Sequence, residues 1–154
     1  ALPILLNSIY DYANTSTPND INNYSIGNDM RRVLEAFSTF EFRTGPSELS
    51  TELLPLQTLE KQDPAYKLFF QNLMYRLVLN RKSHTQETVL GSSDYRFFDE
   101  ISDEEKIKTA KGVLCLIYLL NKNHLISQLK DDNKIQRIEE WCEEIKGIFK
   151  GTEV

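Results

Sequence analysis

Arg31 and Glu35 stand four residues apart in the stretch 28–42, where Val33, Leu34 and Phe37 mark an apolar helix face. On a helix that spacing places a guanidinium and a carboxylate one turn apart. A guanidinium binds phosphate bidentately, and a neighbouring carboxylate can orient it or move a proton. The alternative is an ordinary helix ion pair worth only ~0.3–0.5 kcal/mol. A second polar cluster follows, with Arg76, Asn80 and His84 recurring every four residues and Arg81 and Lys82 beside them. An imidazole that titrates near neutrality among several cations suits phosphodiester cleavage, with the His as acid or base and an Arg stabilising the added charge. The alternative there is a cation cluster and a His cap closing a helix C-terminus.

Other chemistries find less support. His84 and His124 are the two histidines, and neither has metal-ligand spacing to a second His or to clustered carboxylates, so no metal site is expected. Asp103, Glu104 and Glu105 suit the positive end of a helix, and Asp131-Asp132 suits a cap. Cys115 sits in an apolar run and Cys142 follows Trp141 on the apolar face of the last helix; both read as core thiols. His124, after Asn-Lys-Asn, is expected to cap a helix break.

Helices must position these residues. Leu2, Leu5, Leu6, Ile9 and Tyr10 form one apolar face, and 14–23 reads as a polar loop. The next helix opens around 25–28 and runs to Phe42, stopped by Thr44-Gly45-Pro46. A weaker helix covers 48–59, interrupted or delimited by Pro55. Asp63 and Pro64 start a stronger one that ends near Asn80 or Lys82. A surface loop is expected over 85–98. Ser102 and Glu105 make a capping-box pattern ahead of the apolar helix through Leu120. After a break at 121–123 come a short segment with Leu125 and Leu129 and a last helix from Asp132 to Phe149, stopped by Gly151. The expected fold is all-α, an irregular bundle of five to seven helices forming a single domain over 1–154.

Composition sets the outer limits. With 18 Lys and Arg against 23 Asp and Glu the net charge is −5, so any RNA contact must concentrate near Arg31, Arg76, Arg81 and Lys82. The longest apolar run, about 112–120, is too short for a membrane helix, and two cysteines suit a reducing, cytoplasmic setting. The chain carries no P-loop and does not begin with Met, so it reads as part of something larger that needs no cofactor of its own.

The pattern Arg31-Arg32-x-Leu34-Glu35-x-Phe37-x-x-Phe40, followed by Asn80-Arg-Lys-Ser-His84 and Asn121-Lys-Asn-His124, resembles prokaryotic ABC-type ATPases related to anticodon nucleases, which act in phage defence and abortive infection. The resemblance covers roughly 4–129. It implies the C-terminal effector domain of a larger ATPase, with ATP bound by an upstream head. It also implies metal-independent cleavage of tRNA beside the anticodon, leaving a cyclic phosphate. Arg31, Glu35 and His84 would then be catalytic, and Arg76, Asn80, Arg81 and Lys82 would hold RNA. The domain is also loosely similar to helical HEPN ribonucleases with an Arg-Asn-x-x-x-His motif. Here Asn80 and His84 match, but Leu79 replaces the Arg, so Arg31, Arg76 or Arg81 would have to substitute in space. The competing expectation is a noncatalytic regulatory or interaction domain docking on an ATPase head or on a second copy of itself.

Overall fold

Between Ala110 and Leu119 only Lys111 and Tyr118 interrupt an apolar run, and a helix apolar on most sides must be covered on most of them. The computed structural model shows how that is done. It describes residues 2–15, 18, 20–43, 45, 53–79 and 101–150. These form α1 (Leu2–Ala13), α2 (Asp20–Phe42), α3 (Leu53–Gln62), α4 (Ala65–Met74), α5 (Asp103–Leu120), α6 (Lys122–Leu129) and α7 (Asp132–Lys150). A π-helical turn, Tyr75–Leu79, continues α4. Among the described residues there is no strand, and the architecture is the expected all-α irregular bundle.

α5 is the axis of the bundle and touches each of the other six α-helices. Its Ala110 and Gly112 to Ile117 are buried with Leu119 in one core shared by Leu6 and Ile9 of α1, Met30 and Phe37 of α2, Phe70 of α4 and Ile138 of α7. The flanking helices are amphipathic by contrast. α7 buries Ile135, Ile138, Trp141 and Cys142 and leaves Glu139, Glu140, Glu143 and Glu144 exposed.

Several ends form as their residue types require. The Ser102 hydroxyl accepts the Glu105 N–H at 3.1 Å at the start of α5. The Asp63 carboxylate accepts the Ala65 N–H at 2.9 Å beside α4. Asp131 accepts the N–H groups of Asn133 and Lys134 at 3.0 and 3.2 Å at the start of α7. Pro55 lies in the first turn of α3, where its missing N–H leaves no helix bond unmade.

Three local expectations are corrected. α2 begins at Asp20 instead of 25–28, so the polar loop is shorter; once the Ile26–Phe37 stripe is packed, extending the helix costs far less than nucleating it. α2 ends at Phe42, as expected, and Arg43 beyond it takes the left-handed conformation at φ 51° ahead of Gly45. The end of α4 is π-helical, with Arg31 donating into it. At the 121–123 break Asn121, not His124, supplies the cap: its side-chain oxygen accepts the His124 N–H at 3.0 Å. The expected 85–98 loop, the residues Thr44, Pro46 and 48–52, and Gly151 lie outside the described residues.

Candidate functional site

Three helices expose one side each to a common groove. α4 and its π turn contribute Phe69, Leu73 and Arg76; α5 contributes Glu105, Lys108, Lys111 and Gly112; α7 contributes Trp141, Ile145 and Ile148. Each set follows steps of three or four residues, the helical repeat that aligns side chains along one face. The groove contains a cavity of about 260 Å³. Gly112 lets α4 come close: a Cβ added there would lie 3.2 Å from Phe69 Cε1 and 3.3 Å from Leu73 Cδ1.

The polar groups sit on the apolar walls. Arg76 Nη1 donates to Glu105 Oε2 at 2.6 Å, and this charge-assisted bond holds the Glu105 carboxyl below the usual carboxylate range despite some desolvation. Lys108 Nζ stands 3.7 Å from both Glu104 and Glu105. Lys111 lies over the Trp141 ring, its Nζ 5.4 Å from the centroid, and Arg137 Cζ approaches the same ring at 5.8 Å. Among the described residues, no carboxylate is within salt-bridge distance of Lys111, and no cation is within that distance of Glu144 on the opposite wall. Trp141 is 1% exposed, and its Nε1–H has no hydrogen-bond partner among the described residues.

The residues singled out for phosphate chemistry are distributed differently. Arg31 is 9% exposed, and its Nε donates to the Leu77 carbonyl of the π turn at 3.3 Å. Glu35 is exposed, with its carbonyl accepting from Ser38. The one-turn spacing therefore does not put the two on a shared polar face. α2 packs against the π turn, and the boundary between core and solvent passes between them. Arg76 is brought to the groove and paired with Glu105. Asn80, Arg81, Lys82 and His84 lie outside the described residues, so the stripe from Arg76 to His84 is described only at Arg76.

His124 occupies an aromatic site. Its ring stacks on Phe40 at 5.2 Å and lies 5.9 Å from Phe37, with Nε2 buried and lacking a hydrogen-bond partner among the described residues. Cys115 and Cys142 are free and buried. Burial first, then the nearby Cys142, pushes the Cys115 thiol well above its ordinary range, which keeps it protonated and a poor nucleophile. Among the described residues no group of three His, Cys, Asp or Glu side chains is placed to hold a metal ion, and no helix is long and apolar enough to cross a membrane.

The chain matches no known family model, no curated protein and no solved structure.

The groove was not among the expected sites. Its clearest sequence signal is Gly112, a helix-weakening residue at the start of the apolar run of α5, where close approach of another element is its ordinary use. Lys111 and Trp141 are separated by 30 positions, and only the packing of α7 on α5 joins them.

Proposed function

We propose that this chain is a noncatalytic regulatory or interaction domain that docks through the α4–α5–α7 groove onto a partner, the ATPase head of a defence-type parent protein. One observation carries this choice over the ribonuclease: the Arg31 guanidinium is buried and directed at a backbone carbonyl, while Glu35 faces solvent. A phosphate clamp needs its donors open to the substrate and aimed at a common point. The groove supplies what docking needs instead, namely apolar walls from three helices with a few charges at defined places. Any ATP belongs to the head, since the chain has no P-loop. A cytoplasmic location accompanies the proposal and agrees with two buried free thiols.

The test is tRNA cleavage. Total tRNA incubated with the purified chain, with and without ATP, is expected to stay intact, and equally so with His84→Ala. Cleavage that His84→Ala abolishes would overturn the noncatalytic proposal in favour of a ribonuclease built on His84.

A further inference from the structure

We infer that the groove's occupant is an amphipathic helical segment of a protein partner, carrying an acidic residue that pairs with Lys111 beside two apolar anchors. The inference deepens the docking function proposed above and rests on it.

Charge gives the first argument. The chain is acidic overall at −5, yet the groove holds three cations, Arg76, Lys108 and Lys111, against two carboxylates, Glu105 and Glu144. Arg76 and Lys108 are both engaged with Glu105. Lys111 is half-buried over Trp141, and among the described residues it has no carboxylate to balance it. An ammonium in a partly desolvated apolar wall is completed by an incoming carboxylate, and such a charge matters more there than on an open surface. Exposed Glu144 on the α7 wall repels the same carboxylate and directs it to the α5 side.

Size and shape give the second. About 260 Å³ is below the usual range for cofactor and drug-sized pockets, roughly 300–1,000 Å³, and suits a small number of apolar side chains. The apolar surface also continues outward: Ile148 on the rim is 57% exposed. That extension favours a large partner lying across the groove over a small amphiphile enclosed in it. Along α7 the lining runs from Trp141 to Phe149, about 12 Å at the helical rise, which matches two turns of an incoming helix. Anchors at i and i+3 or i+4 then fall against Phe69 and Ile145, as in helix-in-groove recognition.

The test uses the whole chain and a phage-displayed library of helical peptides about 16 residues long, enough to cross the groove. Selection on the wild type, with depletion on Ile148→Glu, is expected to enrich sequences that place Asp or Glu next to apolar residues at helical spacing. Trp141 is the single tryptophan, so its emission reports occupancy directly. An enriched peptide is expected to shift that emission saturably, and Lys111→Gln is expected to weaken binding about tenfold with helicity unchanged by circular dichroism. Changing the peptide's acid to its amide is expected to produce the same loss, with no additional loss in Lys111→Gln.

Failure to enrich peptides over Ile148→Glu would overturn the inference, as would enriched peptides without an acid or equal binding by Lys111→Gln. Two other occupants are separate outcomes that also overturn it: dodecanoate shifting Trp141 where peptides do not, and a dimer of the chain that Ile148→Glu dissociates. Each leaves the tRNA result untouched. Conversely, His84-dependent cleavage overturns the noncatalytic proposal whatever the peptides do.

Discussion

Arg31 and Glu35 show how much one helical turn can change, the first buried and the second exposed. The Arg31 Nε bond to the Leu77 carbonyl joins α2 to the π turn in a buried setting. Arg31→Ala is therefore expected to lower stability by about 1–3 kcal/mol, because it removes a buried hydrogen bond made by a charged group. An unchanged urea midpoint would show that the bond contributes nothing. The type and spacing of Arg31 and Glu35 were legible, but residues four apart still differ by about 40° around a helix. That angle is enough for the core boundary to fall between them, and only the packing of α2 fixes where it falls. Arg76 and Glu105 give a second test at this scale. Since Arg76 holds the Glu105 carboxyl low, their mutual stabilisation is complete above the ordinary carboxylate range and is lost as pH falls through Glu105's lowered value. Arg76→Gln is expected to be less stable than wild type at neutral pH by less than about 1 kcal/mol, as both side chains are partly solvated. The gap should close in acid, which urea melts at several pH values would reveal.

At the scale of elements, helix ends were the most readable features and helix irregularities the least. Ser102, Asp63 and Asp131 bond the N–H groups that their types and positions call for. The π turn over Tyr75–Leu79 has no comparable local signature: Arg, Leu and Val occur equally in regular helix. The end of α6 was hidden for a related reason, since Lys130 takes φ 52° where glycine is the usual residue. Lys130→Gly is expected to stabilise the protein by about 0.5–1 kcal/mol, the relieved left-handed strain exceeding the entropy that glycine loses. A lower melting temperature would show that Lys130 makes a compensating contact. Gly112 carries the opposite constraint. Gly112→Leu is expected to destabilise by about 1–3 kcal/mol through overpacking against Phe69 and Leu73, despite leucine's better helix propensity. It should also close the groove.

For the molecule as a whole, the apolar C-terminal half of α5 dictated a bundle wrapped around it, and that much followed from hydrophobic pattern. Which faces would remain open did not, because the groove depends on where α4 and α7 leave α5 uncovered. The packed core is also expected to govern stability in alkali. Burial pushes Tyr12 and Tyr118 up to about 12, with the Glu139 hydrogen bond adding to the effect at Tyr118, and raises Tyr66 further. A phenol held neutral in the fold favours folding below its ordinary value near 10 and loses that advantage as pH rises through its folded value. Phenolate absorbance is accordingly expected to rise in two stages, the later one coinciding with loss of helicity. A single stage near pH 10 with helicity retained would contradict the buried placement.

The groove between α4, α5 and α7 is the surface on which the proposed function stands. Titrating wild type and Lys111→Gln with an acid-bearing amphipathic helix, followed by the emission of Trp141, tests it most directly. A saturable shift in the wild type that is weakened about tenfold by Lys111→Gln is the predicted result. Identical curves for the two proteins, or no shift in either, would contradict it.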